Sequence, residues 1–117
     1  MKLGFIGCGN MASAIISGIL EKGLVKREDI FASTKSESSA KRVTEALGIS
    51  CSTDNLSVAK EADYLFLCVK PQFCADTAIE IRDFLSTEQV LVSVIAGKKL
   101  DWLQEQFGAD KKILRTM

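Results

Sequence analysis

The chain of 117 residues contains no histidine. That absence removes much of enzyme chemistry. No Ser-His-Asp or Cys-His arrangement can be assembled from these residues. A histidine general base would have to come from another chain or be absent from the mechanism. The four cysteines, Cys8, Cys51, Cys68 and Cys74, form no C-x-x-C pair. They have no histidine to complete a zinc site, so no metal is expected. A disulfide framework is open on count alone, but a cytosolic chain keeps its thiols reduced. Cys68 lies in an apolar run and is expected to pack as a small hydrophobe.

An excess of either charge is also missing. Lysine and arginine number 15, and aspartate and glutamate number 15. Neither nucleic acid nor an anionic membrane surface is therefore an expected partner. No apolar run approaches the roughly 20 residues of a membrane helix. The N-terminus lacks a basic region followed by a cleavable apolar segment. The simplest expectation is a cytoplasmic protein of one domain, residues 1–117, long enough to bury a core. There is no repeat, linker or low-complexity segment.

What is present is an alternation. Lys2 to Ile6 read as a short buried strand, followed by a glycine turn and a helix from Asn10 to Lys22. Met11, Ala14, Ile15, Gly18 and Ile19 recur at helical spacing and predict its buried face. Gly23 stands where a C-terminal glycine belongs. A second strand spans Asp29 to Ser33. A second helix is marked by Ala40, Val43, Ala46 and Leu47 and closed by Gly48. Ile49 to Ser52 suggest a third strand, and Leu56 to Glu61 a brief helix. "YLFLCV", Tyr64 to Val69, is apolar without alternation, as expected of a central parallel strand covered on both faces. Pro71, the one proline, ends it. Phe73, Thr77, Ile81 and Leu85 trace another helix face. Val90 to Ala96 form a fifth strand, Leu100 to Phe107 a short helix, and "KILRTM" a sixth strand. Strands alternating with helices predict an α/β fold: a Rossmann-like doubly wound parallel sheet with helices on both faces.

The turn "GCGNMA", Gly7 to Ala12, follows a strand and opens a helix. The first glycine permits the tight turn. The second lets the backbone approach a pyrophosphate. The third position needs a small residue, and alanine is an accepted variant. Amides at the helix start would face the phosphates. The competing reading is an ordinary turn, but the strand–turn–helix context favours a dinucleotide.

Another absence bears on which dinucleotide. An NAD site carries an acid about 20 residues past the glycines. Here the second strand ends in Ser33, Thr34 and Lys35. Two hydroxyls and a cation suit a 2′-phosphate, so NADP(H) is favoured and NAD(H) is the second choice. Thr34 to Glu37 also match a capping box, with Thr34 as N-cap and Glu37 at N3. Lys35 reads equally as a solvated charge. Asn55 either contacts the adenosine side of the cofactor or caps the helix after it. The ends of the fourth strand (Cys68 to Gln72) and fifth strand (Ile95 to Gly97) either meet the nicotinamide half or merely terminate strands.

"GFIGCGNMASAI", "TDN", "ADYLFLCVKPQ" and "VSVIAG" occur in the order and spacing of pyrroline-5-carboxylate reductase, and the chain resembles that family from Lys2 to Met117. "VKPQ" and "GNMA" together are fairly specific; either alone is shared with reductases such as β-hydroxyacid dehydrogenases. The resemblance implies that Ile6, Gly7, Cys8, Gly9, Asn10 and Met11 wrap the pyrophosphate. It implies that Ser33, Thr34 and Lys35 face the 2′-phosphate and that Asn55 lies on the adenosine side. It implies that Val69, Lys70 and Pro71, with Val94, Ile95 and Ala96, border the nicotinamide half. Lys70 would act through ribose contacts, and no residue is assigned a catalytic role.

The implied reaction is hydride transfer from NADPH to the C=N bond of 1-pyrroline-5-carboxylate, giving L-proline. A protonated imine accepts hydride with little acid help, which suits a chain without histidine. Family members continue past "LRTM" into a helical domain carrying the dimer interface and most of the substrate pocket. The chain is therefore expected to be the cofactor domain, binding NADP(H) with negligible activity alone, and the full-length protein a homo-oligomer. Two alternatives stand beside it: the cofactor half of another NADP reductase, and a non-catalytic nucleotide-binding module.

Overall fold

A computed structural model describes residues 1–116. Met117, the last residue of the predicted sixth strand, lies outside the described residues. The elements alternate as the sequence predicts. They are β1 (Leu3–Ile6), α1 (Asn10–Lys22), β2 (Ile30–Ser33), α2 (Glu37–Leu47), β3 (Ser50–Ser52), α3 (Asn55–Glu61), β4 (Tyr64–Leu67), α4 (Cys74–Ile81), β5 (Val90–Ser93), α5 (Leu100–Phe107) and β6 (Lys112–Arg115). Short 3₁₀ turns at Arg27–Asp29, Pro71–Phe73 and Arg82–Phe84 were not legible in the sequence. Gly23 and Gly48 end α1 and α2 in left-handed conformation, as expected.

The six strands form one sheet in the order β3-β2-β1-β4-β5-β6, every neighbouring pair parallel. The order reverses direction between β1 and β4. In such sheets that point opens a crevice at the carboxyl ends of the strands.

Two cores flank the sheet. On one face Ile6, Leu65, Leu67 and Leu91 pack with Val58 and Ala59 of α3, Ala78 and Ile81 of α4, and Leu103 and Phe107 of α5. On the other face Leu3, Phe5, Ile30 and Ala32 pack with Ala12 and Ile16 of α1 and Val43 of α2. The rings of Phe5 and Phe66 stack there, 4.5 Å between centroids.

Two expectations need correction. The buried positions of α1 are Ala12 and Ile16, whereas Met11, Ala14 and Gly18 are exposed. The helix is apolar around much of its girth, and the small Ala12 sets the contact with the sheet. β4 is also not fully covered on both faces. Leu65 and Leu67 are wholly buried, but Tyr64 is 38% exposed and Phe66 half-buried. The reason is that α1 and α2 pack on β1 and β2, so the second face of β4 is only partly screened.

Candidate functional site

The glycine turn joins three strand ends. The Gly7 amide donates to the Ser33 carbonyl at 3.0 Å, and the Cys68 amide donates to the Ile6 carbonyl at 2.9 Å. Gly7 has φ +86°, and a Cβ there would lie 2.8 Å from the Cys68 carbonyl oxygen. Only glycine fits, so this first glycine is demanded by the fold itself. Gly9 is different. It is the N-cap of α1, and a Cβ built on it would meet no atom within 4 Å. Open space beside a glycine that the fold does not require is the cradle expected for an approaching phosphate group. No side chain caps α1, and no acid sits in its first turn. The positive end of a 13-residue helix is left facing that space.

A cavity of about 560 Å³ lies here, lined by Gly7, Cys8, Gly9, Thr34, Lys35, Ser39, Arg42, Cys68, Val69, Lys70 and Phe73. Three of these residues are cations and none is an acid. A smaller cavity of about 240 Å³ adjoins it, lined by Gly7, Ser33, Thr34, Lys35, Thr53, Asn55, Val69, Phe73 and Thr77. Together they follow the carboxyl ends of β1, β2 and β4.

The predicted residues fall into two groups. Gly7, Cys8, Gly9, Thr34, Lys35, Val69 and Lys70 line the larger cavity, and Ser33 and Asn55 the smaller. Ile6, Asn10, Met11, Pro71, Val94, Ile95 and Ala96 line neither. Ile6 and Ile95 are buried, while Asn10, Met11, Pro71 and Ala96 are exposed near the rim strands and turns.

Ser33 is wholly buried, and its hydroxyl donates to the Asn55 Oδ1 at 2.6 Å. Asn55 Nδ2 in turn donates to Glu80 at 2.9 Å. Asn55 does not cap α3; Asp54 does, accepting from the amides of Leu56 and Ser57 at 3.1 and 3.2 Å. The capping box predicted at Thr34 also shifts. Ser36 is the N-cap of α2 and accepts from the Ser39 amide, while Thr34 Oγ1 donates to the Ser36 carbonyl at 3.0 Å. The extra two residues lengthen the loop after β2 and leave Lys35 outside the helix.

Sequence reading missed Ser39, Arg42 and Phe73. Ser36, the N-cap of α2, and Ser39 and Arg42 on the helix recur at a spacing of three, and Arg42 donates to the Ser39 hydroxyl at 3.4 Å. That spacing was the available signal. The Lys35 ammonium lies over the Phe73 ring, 2.6 Å from its centroid. All four cysteines are free thiols. Burial pushes the Cys8, Cys51 and Cys74 thiols up, and holds Cys68 up at about 12, so none is primed as a nucleophile. Among the described residues no group of three or more metal-ligating side chains could hold an ion, and no helix is long and apolar enough to cross a membrane.

Known proteins resemble this chain in sequence and in fold. The chain is 36% identical, over all of its length, to a pyrroline-5-carboxylate reductase of Staphylococcus epidermidis. It spans 44% of that relative's length, so less than half of the relative is represented. It superposes with a TM-score of 0.93 on a pyrroline-5-carboxylate reductase from Coxiella burnetii, at 29% identity, covering 99% of this chain and 43% of that one. A Plasmodium falciparum pyrroline carboxylate reductase with NADP bound gives a TM-score of 0.86 at 27% identity, covering 98% of this chain and 41% of that one. Residues 2–97 match the model of the family described as "NADP oxidoreductase coenzyme F420-dependent". That match takes in the glycine turn and five of the six strands, and the chain belongs to this family.

Proposed function

We propose that the chain is the NADP(H)-binding half of a pyrroline-5-carboxylate reductase. The observation that carries this reading is the lining of the larger cavity: Lys35, Arg42 and Lys70 with no carboxylate. A carboxylate at the tip of β2 would repel a 2′-phosphate and favour NAD(H). Thr34, Lys35, Ser39 and Arg42 offer hydroxyl and cationic donors instead. NAD(H) is the weaker ligand on this account.

The chain's own residues then divide the task. The backbone at Gly7 to Gly9 and the amides opening α1 hold the pyrophosphate. Thr34, Lys35, Ser39 and Arg42 hold the 2′-phosphate. Val69 and Lys70 border the nicotinamide half, and Val94, Ile95 and Ala96, which follow β5 and line neither cavity, are assigned to the far end of that half. NADPH, when bound, supplies the hydride. The proposed acceptor is a small molecule, 1-pyrroline-5-carboxylate, whose protonated C=N needs positioning more than acid catalysis. The product is L-proline. The substrate pocket and a homo-oligomer interface are assigned to the part of the family's length that this chain does not span.

The test is NADPH oxidation with 1-pyrroline-5-carboxylate, measured for the chain alone and for the complete gene product. Turnover by the gene product with the pyrroline, and negligible turnover by the chain alone, supports the reading. Turnover only with 2-hydroxyacids and the oxidised cofactor overturns it.

A further inference from the structure

We propose that Phe73 is the platform on which this site stacks adenine, and that Lys35 gates that platform so that nucleotides carrying a 2′-phosphate are selected. The inference rests on the cofactor reading above and adds a residue and a mechanism of selection to it.

Lys35 comes from the tip of β2 and Phe73 from the turn after β4, so their contact spans the crevice. Both residues line both cavities. With Gly7, Thr34 and Val69, which also line both, they stand where the cavity at the glycine turn meets the smaller one beside Thr53, Asn55 and Thr77. Lys35 and Phe73 differ in freedom. The Phe73 backbone is fixed: its amide donates to the Lys70 carbonyl at 2.9 Å, and its carbonyl accepts from Thr77 Oγ1 at 2.9 Å. Its ring is half-buried. Lys35 is exposed, and among the described residues no carboxylate lies within salt-bridge distance of it. The movable member is the ammonium.

An ammonium on a ring face is held by the ring quadrupole, an attraction corresponding to roughly two- to fivefold in an equilibrium at exposed sites. A phosphate dianion is the stronger partner, since it offers both charge and acceptor oxygens. A 2′-phosphate arriving beside Thr34 and Arg42 would draw Lys35 off the ring. The vacated ring face then borders a small cavity whose other walls are Gly7, the apolar Val69 and short hydroxyl and amide side chains, a fit for a flat purine with polar edges. A nucleotide without the 2′-phosphate gives Lys35 no reason to leave, and must compete with the ammonium for the ring.

Calorimetric titration of the 117-residue chain with 2′,5′-ADP and with 5′-ADP tests this without nicotinamide chemistry. Circular dichroism confirms that each variant is folded. Lys35→Met should weaken 2′,5′-ADP by about tenfold. The same variant should tighten 5′-ADP by about two- to fivefold, because the ring is freed. In the Lys35→Met background, Phe73→Leu should weaken 5′-ADP by about fivefold or more, and Phe73→Tyr should retain it. Unchanged or weaker 5′-ADP binding in Lys35→Met overturns the gate. No effect of Phe73→Leu in that background overturns the platform. If wild type binds 2′,5′-ADP and these signs fail, the inference falls and the cofactor reading stands. If wild type binds neither nucleotide, both fall.

Discussion

The Ser33 hydroxyl donates to the side-chain carbonyl of Asn55 over 2.6 Å, tying the end of β2 to the start of α3. The bond fixes which end of the Asn55 amide faces which neighbour: Oδ1 to Ser33 and Nδ2 to Glu80. Among the described residues Nδ2 has Glu80 as its one acceptor, which leaves a second N–H on a residue that lines the smaller cavity. Ser33 thus serves the site through Asn55. Ser33→Ala should cost about 1 kcal/mol, the typical net worth of one hydrogen bond to a half-buried partner. It should weaken NADPH and NADH alike. Urea denaturation and paired titrations measure both; a loss confined to NADPH would put the hydroxyl on the phosphate instead.

Arg42, three residues past Ser39 on α2, shares the cavity with Lys35. Arg42→Ala should weaken NADPH by about tenfold, a typical loss for one charge-assisted hydrogen bond, and leave NADH nearly unchanged. Equal losses for the two cofactors would show that Arg42 acts only on the helix.

The two glycines of the turn should separate stability from binding. Gly7→Ala places a Cβ 2.8 Å from the Cys68 carbonyl at φ +86°. It should destabilise the fold by about 2 kcal/mol or more, from strain and clash together. Gly9→Ala places a Cβ in open space. Its melting temperature should stay close to wild type, while NADPH binding falls below detection. Thermal melts with and without NADPH distinguish the two. A Gly9→Ala variant that binds normally would remove the pyrophosphate from the turn.

Burial raises the Cys68 thiol from 9.0 to about 12 in the folded chain. In the unfolded chain it ionises near its ordinary value, so the unfolded state loses this proton first as pH rises. Its contribution is therefore intact below about pH 9 and is lost progressively up to about 12. Denaturation midpoints measured from pH 8 upwards should fall less steeply for Cys68→Ala than for wild type. Parallel slopes would mean that the thiol is solvated.

The fold was legible because each level of the sequence agreed with the next. Glycine closed the helices, apolar runs marked the strands, and alternation implied crossovers. The buried face of α1 was not legible, because Met11, Ala12, Ala14, Ile15 and Ile16 give no unique apolar stripe; the sheet selects Ala12 and Ile16. The glycine turn and the acid-free tip of β2 were readable as local patterns. Arg42 and Phe73 were missed, since they reach the cavity from a turn inside α2 and from the loop after β4. Ser33 and Asn55 both line the smaller cavity, but their bond to each other depends on β2 and α3 meeting in space and has no signal in the sequence.

The central claim is that an acid-free, cation-lined crevice at the ends of β1, β2 and β4 holds NADP(H). Calorimetric titration of the chain with NADPH and with NADH tests it most directly. The account predicts saturable binding of NADPH at one site, tighter than NADH by about tenfold, as expected for one additional charge-assisted contact. NADH binding as tightly as NADPH, or no binding of either, would contradict it.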